Sequence, residues 1–78
     1  MDFQYALTAL KEGLRVERAG WNGKGMFIFL IAYWTYTNGK YDNFPNIPFI
    51  AMKTADDNVV PWLASQTDLL ASDWAIVT

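Results

Sequence analysis

Two stretches hold the side chains able to grip a ligand. In the first, Trp21, Asn22, Gly23 and Lys24 lead through Gly25 into an apolar run that contains Phe27. Asn and Gly both tolerate positive φ, so the backbone bends sharply and can turn its amides outward beside one cation and one large ring. Stacking ring, free amides and a cation at the head of a rigid strand are what small-molecule sites favour. In the second, Trp62 and Trp74 bracket Ser65, Gln66, Thr67 and Asp68. Two hydroxyls, a carboxylate and the first N–H groups of a helical turn then share one small volume, which suits phosphate and ribose. Each stretch has a plainer reading as well. The first can be a hairpin turn with a packed Trp, and the second a capped helix whose polar groups serve their own backbone between two core Trp residues.

Catalytic chemistry is poorly provided for. The chain has no His and no Cys, which removes the commoner metal sites and the usual nucleophile and base pairs. Asp68 and Asp73 stand near Trp rings without an evident partner base or nucleophile. No catalytic residue, metal or cofactor is therefore expected, and the protein reads as a binder rather than an enzyme.

The elements that must position these groups follow from local pattern. Asp2 is placed to cap a helix in which Phe3, Ala6, Leu7 and Leu10 recur at helical spacing until Gly13 stops it. Residues 14–19 alternate, with Leu14 and Val16 on one face and Arg15 and Glu17 on the other, as in a half-exposed strand. A second strand over about residues 26–32 is apolar throughout and reads as covered on both faces. Residues 33–48 carry a second Asn-Gly and two prolines, so a long loop or short hairpin with exposed aromatics is expected. Residues 49–53 form a third strand, residues 56–58 a tight turn, and residues 59–63 a fourth strand in which Pro61 points to an edge or a bulge. Ser65 followed by Asp68 approximates a capping box for a short helical turn with Leu69, Leu70 and Ala71 on its apolar side. Residues 73–77 make a terminal strand with Trp74 and Ile76 on one face. One helix followed by an antiparallel sheet is an α+β fold in a single domain, residues 1–78.

Size and composition add a further demand. A chain of 78 residues without Cys or His has a small core and neither staple nor metal to support it. Four Trp, four Tyr and five Phe exceed what such a core can bury. Some rings should therefore lie at a subunit interface or in a ligand pocket, and a homo-oligomer is expected. Six basic and eight acidic residues give a formal net charge of −2, which argues against a generic binder of nucleic-acid polymers or anionic membranes. The N-terminus carries Asp2 where a signal peptide would be basic, and no apolar run approaches about 18 residues. A soluble intracellular protein is expected.

The segments GWNGKGMFIF and WLASQTDLLASDW, separated by a variable middle and the strand pair PFIAMKTADDNVVP, together resemble the second type of Thoeris anti-defence protein, a family of small phage proteins. The likeness is loose over residues 3–18 and close over residues 20–30 and 48–77. The middle departs from the family, which carries a longer insertion between the second and third strands.

That resemblance implies a sponge: a protein that binds a cyclic ADP-ribose isomer made by a bacterial TIR-domain sensor and holds it uncleaved in the cytoplasm of the infected host. It also implies that cyclic dinucleotides can be ligands and that the assembly is a homotetramer with pockets where protomers meet. Carried onto this sequence, Trp21 and Trp62 would stack on the adenine or the ribosyl-linked rings. Asn22, Lys24 and the amides around Gly23 would face phosphate, with Arg15 and Arg18 as the alternative cations. Ser65, Thr67 and Asp68 would bond ribose hydroxyls or the purine edge, and Phe27, Gln66 and Trp74 complete the expected site. Two other classes stay open at this point, a hydrolase of the same nucleotide and a protein-binding decoy of a defence enzyme.

Overall fold

The computed structural model describes residues 1–21, 23–32 and 47–78. Helix α1, Phe3–Lys11, is capped by the Asp2 carboxylate, which accepts from the Tyr5 amide at 3.0 Å. Its other end closes on Gly13 at φ 85°, where the Gly13 amide donates to Leu10 O and the Leu14 amide to Ala9 O. That pair of bonds is a Schellman cap, and it recruits Leu14 into the helix terminus. Leu14 is consequently exposed and does not share a face with Val16, contrary to the alternation of residues 14–19, and the first strand, β1, is Val16–Arg18.

Four further elements of sheet complete the chain: β2 (Phe27–Ile31), β3 (Phe49–Lys53), β4 (Val59–Pro61) and β5 (Trp74–Ile76). Between β4 and β5 lies the short helix α2, Gln66–Leu70. The five strands are antiparallel throughout in the order β4-β3-β2-β1-β5, so the α+β reading holds. Pro61 sits on the edge strand, where its missing N–H costs no ladder bond. The ladder continues one residue further through the Trp62 amide to Ile50 O, and Leu63 then leaves the sheet fully exposed. The turn at residues 56–58 forms as expected, with Asp57 at φ 65°.

Register decides which side chains share a face. Val16 pairs with Ile28 and Ile76, Arg18 with Trp74, and Ile28 with Met52. This face meets α1, and Ala6, Ala9, Leu10, Val16, Ile28 and Trp74 form the buried core. Removing these side chains from water at about 25 cal/mol per Å² is the main term holding so small a fold together. On the other face Phe27, Phe29 and Ile31 pair with Lys53, Ala51 and Phe49, and Lys53 and Ala51 with Val59 and Pro61. Ala51 is fully buried there, yet the three β2 side chains stay partly exposed. Among the described residues the apolar run of β2 is thus covered on one face only, by α1. Among the described residues no helix is long and apolar enough to cross a membrane.

Candidate functional site

At one end of the sheet the β1–β2 loop and the corner between α2 and β5 come together around Trp74. Trp74 is 1% exposed, and three rings surround it. Trp21 meets it at 5.4 Å between centroids and 83° between planes, Trp62 at 6.0 Å and 86°, and Phe3 at 5.4 Å and 64°. Edge-to-face contacts of this kind set the positive rim of one ring against the negative face of another, and contribute about 0.5–1.5 kcal/mol each beyond area burial. Trp21 and Trp62 are themselves only partly buried. The expected site therefore divides into roles: Trp21 and Trp62 keep surface to offer, whereas Trp74 is core and acts from behind them.

The polar groups of this corner are bound to one another. Arg18 extends from the end of β1 and spreads its guanidinium over two carboxylates: Nε donates to Asp73 Oδ1 at 2.8 Å, Nη1 to Asp68 Oδ1 at 2.8 Å, and Nη2 to Asp73 Oδ2 at 3.5 Å. The Gly20 amide donates to Asp73 Oδ2 at 2.8 Å, and the indole Nε1 of Trp21 to Asp68 Oδ1 at 3.3 Å. The Trp74 indole donates to the carbonyl of Asp68 at 3.0 Å. The side chains of Arg18 and Asp68 are 15% and 14% exposed, so this ion pair lies in reach of water but is largely shielded from it.

These contacts set the charge state. Partial burial pushes the Asp68 carboxyl up, but the bonds from Arg18, Trp21 and Ser65 outweigh it and hold it below the usual carboxylate range. The Arg18 guanidinium, with the Gly20 amide, lowers Asp73 against a smaller opposing effect of burial. Asp73 and then Asp68 raise Arg18 in turn. Both acids stay ionised at neutral pH and neither has a proton to give. The corner is a rigid, internally neutralised support.

Ser65 caps α2 as expected, its hydroxyl accepting from the Asp68 amide at 3.0 Å. The reciprocal half of a capping box is absent, since the Asp68 carboxylate turns instead to Arg18 and Trp21. Ser65, Gln66 and Thr67 are exposed along the outer side of α2, as are Leu69 and Leu70. Lys24 is exposed in the turn after Trp21; Asn22 lies outside the described residues, as do residues 33–46 with the loop or hairpin expected there. Gly23 is wedged in this turn, where a Cβ would stand 2.4 Å from Met26 Sδ and 2.9 Å from Ala55 Cβ.

Phe27 does not join the other expected site residues. It lies on the opposite face of the sheet, under Arg15 with 5.0 Å between Cζ and the ring centroid, and 5.9 Å from Lys53 Nζ. Alternation from buried Ile28 is the reason, since a one-residue step reverses the side of the sheet. Among the described residues no group of His, Cys, Asp or Glu is arranged to hold a metal ion. Arg18 is the functional residue least visible in the sequence. Its signal is that no basic residue follows Lys53, so any cation that neutralises Asp68 and Asp73 must come from at least fifteen residues earlier in the chain.

A family model described as the Thoeris anti-defense 2-like domain matches residues 1–77. A protein of Bacillus phage SP01 named Thoeris anti-defense 2 is 47% identical over an alignment of 87 positions, covering all of this chain and 96% of that relative. The alignment is longer than the chain, so the relative carries residues with no counterpart here.

Proposed function

The chain belongs to the Thoeris anti-defense 2-like family, so its function is phage anti-defence, and we propose that it works as a sponge that binds a cyclic ADP-ribose isomer and holds it uncleaved. The observation that carries this reading is the pair of partly exposed indoles, Trp21 and Trp62, each set nearly perpendicular to the same buried Trp74. Both indoles keep part of their surface exposed for a base to meet, and Phe3 lies tilted against Trp62 at 5.9 Å and 31° between planes. Stacking on an aromatic contributes roughly 1–3 kcal/mol per base, and a charge-assisted hydrogen bond about 1.5–3 kcal/mol. Nanomolar affinity requires about −12 kcal/mol, so such contacts suffice only where the pocket is ordered in advance. Lys24 supplies the phosphate contact in this reading, and Ser65, Gln66 and Thr67 the polar contacts to ribose or purine.

Sequestration fits the corner better than turnover. Asp68 and Asp73 are both paired with Arg18, and a carboxylate held ionised by a guanidinium is a weak base and no acid at neutral pH. The protein acts in the cytoplasm of the infected bacterium in this reading, and cyclic dinucleotides are the second ligand class to test. We further propose a homotetramer. Among the described residues Phe29, Ile31 and Phe49 leave apolar surface opposite α1, beside a depression of about 340 Å³ lined by Ile31, Phe49, Val59, Val60 and Pro61. A second chain that covers it gains the burial that α1 gives the other face.

The test is incubation of purified protein with cyclic ADP-ribose isomers and cyclic dinucleotides, removal of free ligand, heat denaturation, and analysis of what is released. Intact ligand is expected. Degraded ligand would indicate a hydrolase. No depletion of any nucleotide would favour a protein-binding decoy, for which the exposed Leu63, Leu69 and Leu70 would be the contact surface.

A further inference from the structure

The bonding of Arg18 reaches Trp21 by two routes. Along the first, Arg18 holds Asp73, and Asp73 holds the amide of Gly20, the residue immediately before Trp21. Along the second, Arg18 holds Asp68 Oδ1, and the same oxygen accepts the Trp21 indole N–H. One guanidinium thus fixes both the backbone at which the Trp21 side chain begins and the polar edge at which it ends. A Trp has two soft torsions, and these two anchors with the Trp74 contact restrict both. The two carboxylates would repel each other without the cation between them, and Asp68, on a five-residue helix with no buried side chain, would be free to turn to water.

We propose that Arg18 is a positioning residue for the Trp21 platform: through the shared Oδ1 of Asp68 and through Asp73 it sets the pose of the indole, and ligand affinity depends on that pose. The proposal rests on the ligand-binding reading above. It gives Asp68 a part beyond direct contact with ribose or purine, because its Oδ1 is engaged by both Arg18 and Trp21, which leaves Oδ2 as the oxygen that can face a ligand. It also explains why an Arg stands at position 18. A Lys is a point charge and can neutralise the pair, but it has no planar fork with which to span Asp68 and Asp73 at once.

The experiment has one readout free of ligand and one with it. In the first, the indole N–H resonance of Trp21, assigned by its loss in Trp21→Phe, is followed by NMR in the wild type, Arg18→Gln, Arg18→Lys and Asp68→Asn. In the second, the affinity of each variant for cyclic ADP-ribose isomers is measured by calorimetry. The Trp21 resonance should move in Arg18→Gln and Asp68→Asn, with affinity reduced about tenfold or more, the scale of a lost preorganising contact. Arg18→Lys should recover part of the affinity, since it restores the charge but not the fork. A Trp21 resonance and an affinity both unchanged in folded Arg18→Gln would overturn the proposal, as would a loss of stability with neither readout altered. If Arg18→Gln does not fold, Arg18→Lys and Asp68→Asn decide on the same two criteria. A wild type that binds none of the isomers, while its Trp21 resonance still responds to Arg18→Gln, would sink the sponge reading and leave the positioning role standing.

Discussion

Trp21 and Trp74 meet edge to face at 5.4 Å, so the ring with the most to offer a ligand is also attached to the centre of the core. Trp21→Ala should consequently have two effects. Loss of a partly buried indole should cost about 1–3 kcal/mol of stability, below the 3–5 of a full Trp truncation, together with about 1–3 kcal/mol of binding. Trp21→Phe keeps a ring against Trp74 and loses only the bond to Asp68. Thermal melting paired with calorimetry separates them: Phe should restore most of the stability and only part of the affinity.

Acid should loosen the corner at Arg18. Asp68 and Asp73 are held below the ordinary carboxylate value in the folded protein, while in the unfolded chain they titrate near 3.9. A depressed folded-state value means that the stabilisation is fully present above about pH 4 and is lost as pH falls through the folded-state values. Asp56, lowered first by its hydrogen bond from Thr54, adds in the same direction. Melting temperature followed from pH 7 to pH 2.5 should stay level and then fall below about pH 4. Asp73→Asn should flatten that fall.

Gly23 tests the turn that carries Trp21. An added methyl would press on Met26 Sδ, which can swing away, and on Ala55 Cβ, which belongs to the β3–β4 turn and cannot. Gly23→Ala should destabilise by about 1–3 kcal/mol, as overpacking does, and should shift the Trp21 fluorescence. Unchanged melting and emission would show that the β3–β4 turn yields.

Lys24→Ala addresses the phosphate contact. Lys24 is exposed, so melting temperature should hardly change, whereas affinity for an anionic cyclic nucleotide should weaken by roughly 1.5–3 kcal/mol, the range for a charge-assisted bond. Calorimetry that finds wild-type affinity would return Lys24 to solvent and pass the phosphate to the backbone amides of the turn.

Phe29→Glu places a charge in the middle of the apolar face opposite α1. If that face joins protomers, the variant should sediment as a smaller species than the wild type, because burying an unpaired carboxylate costs several kcal/mol. A wild-type mass distribution would move the interface to another surface.

Much of the architecture was legible because local signals agreed with tertiary ones. The strand at residues 49–53, the edge Pro61, the Ser65 cap and the Asp2 cap each announce themselves within a few residues. Leu14 was misplaced because the alternation of residues 14–19 competes with a helix cap, and two backbone bonds to α1 prevailed. The candidate site was less legible. Sequence proximity put Phe27 with Trp21, but the pleat sends it to the other face. The partnership of Arg18 with Asp68 and Asp73 spans 50 and 55 residues, a distance at which no periodicity or spacing speaks.

The adjacency of β1 and β5 in the sheet has a kinetic meaning. The bond and the ring contact that order the Trp21 side chain against Asp68 and Trp74 cross from the first third of the chain to its last eleven residues, and Trp74 pairs with Arg18 only after the whole intervening sequence has been looped out. Contacts of such long sequence separation form late, since the entropy of closing the loop must be met before they contribute. The β2–β3 and β3–β4 hairpins can assemble locally, but the indole platform cannot. In stopped-flow refolding, the change in Trp emission should therefore lag the first gain of β structure, and the β2–β3–β4 part of the sheet should form before the protein acquires the ability to bind.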